Sequence, residues 1–278
     1  MHELPAVGQG LRDHPFVPIV HARSSSVADR RSFYGSQEAM DTALQQWKRD
    51  RTGPWSKYGC ESLIGYFKSD IITTSPEFKD LPVTAQNFLS RETVPHYEIS
   101  SNAPVHFAIP GFPSELLNYN GVVALPCNTQ TRGEVTLQSA NPDIPLRFDP
   151  KLFSHPYDRR VTIEALREVL KLVKHPLYAK DTVADILGPE RTDSDEDLLE
   201  FCKENISSSW HMTGTVKMGR TEDADTVVDN NFRVVGVSGL RVADMSVLPI
   251  LPNGHTQVPA YITGATCAEK LIEEYNLD

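Results

Sequence analysis

The chain of 278 residues has a net charge of −10, with 40% hydrophobic and 23% charged residues. This is the composition of a soluble globular protein with room for one large domain or two small ones. The acidic balance, with no Lys/Arg cluster, excludes nucleic acid as a partner, because such binding rests on cationic side chains against phosphates.

Near the start, "FVPIVHARSSSV" reads as a strand with its exit. Ser36 to Asp50 has a plausible Ser36 N-cap and places Ala39, Met40, Ala43, Leu44 and Trp47 at helical spacing, with Thr52-Gly53-Pro54 as its stop. "CESLIGYFKS" reads as a half-buried strand, and the Pro-rich run from Ser69 to Pro113 as irregular. "NGVVALPC" and "RGEVTLQSA" alternate like strands of an antiparallel sheet, and "NPDIPLRFDPKLFSHPYD" has the composition of a loop. "RRVTIEALREVLKLVKHP" is the clearest helix, with Val161, Ala165, Leu166, Val169, Leu172 and Val173 on one apolar stripe. Ser194 to Asp197 resembles a capping box that opens a further helix through Phe201.

The texture changes after Gly219. Two β-rich runs flank a Gly-Val-Ser-Gly turn, and "PNGHTQVPAYITGATCAEKLIEEY" is a loop running into a C-terminal helix. In that helix Ala260, Gly264, Ala265 and Ala268 would permit close packing on a sheet or a ligand. The expected fold class is α+β: residues 1–205 form an antiparallel-sheet body with flanking helices, and residues 206–278 a segment with the character of a cofactor domain.

No apolar run approaches the about 20 residues of a membrane helix, and the N-terminus lacks the basic-then-apolar pattern of a signal peptide. Cys60, Cys127, Cys202 and Cys267 form no C-x-x-C pair, which argues against a zinc site or disulfide scaffold. Free buried thiols in a cytoplasmic protein are the simple reading, and no metal is expected. Phosphate-loop, serine-elbow and H-E-x-x-H motifs are absent. Gly8-Gln9-Gly10 opens like a dinucleotide fingerprint, but Asp13 stands at its third glycine position and no strand precedes it.

His211, between Trp210 and Met212 and just before Thr213-Gly214-Thr215, sits where small residues let backbone approach closely. His255 lies in a similar loop 44 positions later. A histidine filling a core is the commoner case, and on the residues alone either reading of His211 stands. His14, His96, His106, His155 and His175 have no comparable context and read as surface or packing residues. Trp210 reads as core, and Tyr58, Tyr66 and Phe107 as core residues that could line a pocket.

Five stretches, "LPAVGQGLRDHP", "RGEVTLQSANPDIPLRFDPKLFSHPYD", "SSSWHMTGTVKMG", "VVDNNFRVVGVSGLRVADMSVLP" and "PNGHTQVPAYITGATCAEKLI", together resemble the second half of the glucose–methanol–choline (GMC) oxidoreductases. The last looks most like the fungal aryl-alcohol-oxidase-like members. The resemblance implies a GMC-type substrate domain followed by a remnant of a Rossmann-type flavin domain. It implies that His211 and His255 are the catalytic pair, and that Trp210 and Asn253 contact substrate. Ala243, Asp244, Thr256 and Gln257 would line FAD supplied with a partner half. Asp244 could equally be a turn or cap residue. Met212 departs from the proline that many members carry after the histidine. The family's flavin-binding first half has no counterpart in the sequence, so no cofactor is expected for the chain by itself. The reading that follows is a fungal biosynthetic enzyme that uses the pair for redox-neutral dehydration, isomerisation or cyclisation of an oxygenated small molecule. The alternatives are half of an FAD-dependent alcohol oxidase or dehydrogenase, and a non-catalytic binding remnant. A homodimer or a complementary flavin-domain chain is the expected cover for the tail.

Overall fold

A computed structural model of the chain describes residues 3–24, 36–56, 63–103, 109, 111–112 and 118–277. Tyr58, Cys60, His106 and Phe107 lie outside the described residues. In chain order the strands and helices are β1 (Gln9–Leu11), β2 (Pro15–Arg23), α1 (Gln37–Asp50), β3 (Leu63–Phe67), α2 (Asp70–Thr74), α3 (Pro76–Lys79), α4 (Val83–Leu89), β4 (Tyr97–Ala103) and β5 (Tyr119–Pro126). They continue with β6 (Gly133–Thr136), β7 (Arg147–Asp149), α5 (Pro156–Lys174), α6 (Pro176–Ala179), β8 (Thr182–Leu187), α7 (Asp195–Asn205), β9 (Ser207–Ser208) and α8 (Gln257–Tyr275).

The main sheet runs β3-β4-β5-β2-β8, with β9 also paired to β2 and every pairing antiparallel. The period-2 rule explains why its centre is apolar on both faces. In β2, Val17 and Ile19 enter one core with Val122 and Ala124 of β5, while Phe16 and Val20 enter a second with Tyr119, Val123 and Leu125. Helix α5 lies over the first face and fills it with Val161, Ala165, Leu166, Val169 and Val173. Each such valine or leucine, fully buried, contributes about 1.5–3 kcal/mol. The mixture of helices and antiparallel sheet agrees with the α+β expectation.

Several local expectations are corrected. Between Ser69 and Ala103 the run is not irregular: it holds α2, α3, α4 and β4, and two of its prolines start helices instead of breaking them. Pro76 follows the Ser75 cap, and Pro82 caps α4. For the same reason α5 begins earlier than its apolar stripe suggests, at Pro156 behind His155. Leu172, assigned to that stripe, faces solvent. β3 is an exposed edge strand, not a half-buried one, because among the described residues only β4 pairs with it; Leu63 is 74% exposed. β5 and β6 fall in different sheets, β6 joining β1 and β7, the latter a short strand inside the expected loop. The two β-rich runs of the tail form isolated bridges (Met218 with Val228, Val228 with Val234, Arg233 with Arg241) around a small core of Val227, Phe232, Val247 and Cys267. Helix α1 and the α7 capping box are as expected.

Among the described residues no helix is long and apolar enough to cross a membrane.

Candidate active site

Two chain segments almost 200 positions apart meet to build the site. The backbone of Arg12 pairs with that of Thr213 in both directions (3.0 and 2.9 Å), and Pro15 of β2 opposes Ser208 of β9. Between these two ties His14 and His211 face each other. The close approach depends on glycine: Gly214 has φ of +90°, and a Cβ there would stand 2.6 Å from the Gly10 carbonyl oxygen. The Gly8–Gly10 run is thus a backbone crossing, not a phosphate cradle.

Asp13 locks the crossing. Its Oδ1 accepts from the His14 N–H (2.8 Å) and the His211 N–H (2.9 Å), and its Oδ2 accepts from the Ser208 hydroxyl. Burial raises the Asp13 pKa, and the three hydrogen bonds oppose that rise.

From this anchor a row of polar side chains extends. His14 Nδ1 and His211 Nδ1 are 3.1 Å apart, with their rings nearly perpendicular. The His211 and His255 ring centroids are 5.1 Å apart. His255 Nε2 donates to Glu98 Oε1 at 3.1 Å. Burial, with His255 close by, lowers His211 to about 4, and burial lowers His14 to about 3. The hydrogen bond to Glu98 instead raises His255. The adjacent imidazoles are therefore driven apart: one is held neutral and the other retains its proton more readily. Burial and the nearby Glu98 also push the Tyr66 phenol up to about 12.

The structure brings His211 and His255 together, which their 44-position separation in sequence left open. Trp210 is corrected: it is 60% exposed at φ of +57°, with its ring outside the core, because the backbone turns there to aim His211 inward. Asn253 is half-buried two positions before His255, and its Oδ1 is buried with no hydrogen-bond partner. Asp244 serves as the cap of the turn Met245–Val247, accepting from Ser246 N–H at 2.8 Å. That turn packs on α8, with Val247 in one small core with Cys267. His155 and His175 cap α5 and α6, and His96 is buried and accepts from the Ser69 N–H. Among the described residues no group of three or more His, Cys, Asp or Glu is placed to hold a metal ion.

Sequence reasoning missed His14, Asp13 and Glu98. The Asp13-His14 pair was visible but set aside with the rejected glycine motif. Glu98 had a signal: in β4 it alternates with Tyr97 and Ile99, which enter the main core, so it had to point to the opposite face, where it is only 1% exposed.

The C-terminal family model described as GMC oxidoreductase matches residues 129–264. Dehydrogenase pkfF of Emericella nidulans is 30% identical over 99% of this chain, which covers 44% of that protein. The oxygen-dependent choline dehydrogenase of Brucella anthropi is 27% identical over 96% of the chain and 45% of its own length. A structure of Aspergillus oryzae formate oxidase, studied for its FAD modification, superposes with a TM-score of 0.81 at 25% identity, covering 98% of this chain and 48% of that one. A fungal aryl-alcohol oxidase shares the fold, with a TM-score of 0.70 at 22% identity over 98% and 49% of the two chains. The chain belongs to the GMC oxidoreductase family, and it spans about half the length of the relatives it matches.

Proposed function

We propose that the chain supplies the substrate-side, proton-handling half of a flavin-dependent alcohol oxidoreductase acting on a small oxygenated molecule. The observation that carries this is the pair itself: His211 and His255 are adjacent but held at opposite proton affinities. A neutral His211 accepts the substrate hydroxyl proton, and His255, backed by Glu98, holds the substrate oxygen by a hydrogen bond. Trp210 offers an exposed aromatic surface beside His211.

The residues anticipated for FAD fit such a group. Helix α8 opens at Thr256 with no side-chain cap and no acidic residue in its first turn, so its leading N–H groups meet neither hydroxyl nor carboxylate there. Gln257 is exposed beside them. Thr256, Gln257, Ala243 and Asp244 would hold the flavin edge. Bound there, FAD would supply the hydride acceptor that alcohol oxidation to a carbonyl requires.

A second polypeptide surface, carrying the remaining flavin contacts, is favoured by α8. This 19-residue helix buries only Thr263 and Cys267. Val258, Tyr261 and Ile262 share an uncovered face, with Tyr261 75% exposed. Ala260, Gly264, Ala265 and Ala268 are exposed as well, so the small-residue surface packs on nothing among the described residues. The redox-neutral reading uses the same pair, since a neutral imidazole beside a proton-rich one can move protons with no hydride acceptor. A second copy of the chain could also cover α8.

The test is to purify the chain alone and after co-production with the flavin-binding half of a relative such as Dehydrogenase pkfF. A yellow complex that oxidises alcohols, and loses about 100-fold or more in rate with His211→Ala, is the expected result. A colourless chain that converts an oxygenated substrate anaerobically without net oxidation overturns the flavin reading in favour of the redox-neutral one.

A further inference from the structure

The buried imidazole of His14 touches no solvent and has no part in the proton chemistry above. It is nonetheless fixed against His211 by backbone ties from both segments. Asp13 Oδ1 binds the N–H of both residues, and the His14 carbonyl accepts from Ser209 N–H at 3.0 Å. The Nδ1···Nδ1 separation of 3.1 Å is a hydrogen-bond distance. Two bare nitrogens do not sit at that distance in a dry site, and neither do two N–H groups, so one ring carries Nδ1–H and the other accepts it.

The choice decides what His211 can do. If His14 donates, His211 must carry its proton on Nε2 and has no lone pair to offer. If His211 donates, its Nε2 is bare and His14 carries Nε2–H. His211 Nδ1 is turned to His14, so a His211 that accepts a proton does so at Nε2 and donates at Nδ1.

We propose that His14 is a positioning residue that sets the tautomer of His211, accepting its Nδ1–H so that Nε2 is the free, basic nitrogen. This rests on the reading of His211 as a proton acceptor. It is tested without flavin or substrate, so that a failure of either idea is visible separately. The measurement is the ¹⁵N spectrum of histidine-labelled chain at neutral pH, with His211 assigned by comparison with His211→Gln. The expected result is a His211 ring protonated on Nδ1 and bare on Nε2. In His14→Phe the ring should move to the Nε2–H form, and His14→Asn, whose Oδ1 branches from Cγ where Nδ1 does, should restore the Nδ1–H form. A wild-type His211 protonated on Nε2 overturns the proposal even if no variant folds. So does an unchanged tautomer in folded His14→Phe.

Discussion

Glu98 and His255 are joined across the end of the sheet: the strand carboxylate, almost wholly enclosed, accepts from the loop imidazole at 3.1 Å. Glu98 reaches His255 because β4 alternates its side chains, and the carboxylate is the group that raises the imidazole's proton affinity. Glu98→Gln should therefore return the His255 pKa toward its ordinary value of about 6.5. The raised folded pKa gives stability that is complete below the unfolded value and is lost as pH rises through the folded one. The variant should thus be most destabilised, by about 1 kcal/mol at most for so exposed a histidine, on the acid side of neutrality. An NMR titration in which His255 keeps the same midpoint in Glu98→Gln would show that the contact does not tune it.

His14 and His211 act in the other direction. Their folded pKa values lie near 3 and 4, below the unfolded value, so their contribution is present above about pH 6.5 and is lost as pH falls toward those values. Each adds a slope of up to about 1.4 kcal/mol per pH unit in that window. Urea midpoints should fall between pH 6.5 and 4.5, and His211→Gln should flatten the curve by roughly one histidine's share. A midpoint independent of pH in this range would mean that the two rings are not buried neutral.

Asp13→Ala removes one carboxylate and strands three buried or half-buried donors, the N–H groups of His14 and His211 and the Ser208 hydroxyl. At about 1–3 kcal/mol for each unsatisfied group, the loss should be about 3 kcal/mol or more in chemical denaturation. A cost below about 1 kcal/mol would contradict the role of Asp13 as the lock of the crossing.

Glycine substitutions should separate by position. Gly214→Ala meets both a positive φ and the Gly10 carbonyl, and should cost about 2 kcal/mol or more. Gly264→Ala lies in α8 with nothing within 4 Å of the new methyl, and should stabilise the chain by up to about 1 kcal/mol. Thermal melts of the two variants shifting in the same direction would refute this assignment.

Much of the helical framework was legible because its signals are local: the Ser36 cap of α1, the stripe of α5 and the Ser194–Asp197 box of α7 each depend on neighbours in sequence. The tail was less legible. Its β-rich runs lack partners long enough to make strands, and side-chain composition does not report what a segment pairs with. For the site, His211 and His255 were reached through resemblance to a family, and their adjacency only through the fold. His14 and Glu98 carry no local mark of their role, since what distinguishes them is the group opposite each, contributed from far along the chain.

The antiparallel tie between Arg12 and Thr213 has a consequence for how the molecule is made. It closes a loop of about 200 residues, and the entropic cost of such a closure falls before any contact within it can repay it. Local helices and the β4–β5 pairing can form early, whereas His14 meets His211 only when the segments around Arg12 and Thr213 have docked. The seating of His211 is thus expected among the last contacts made in folding and among the first lost when those two segments separate.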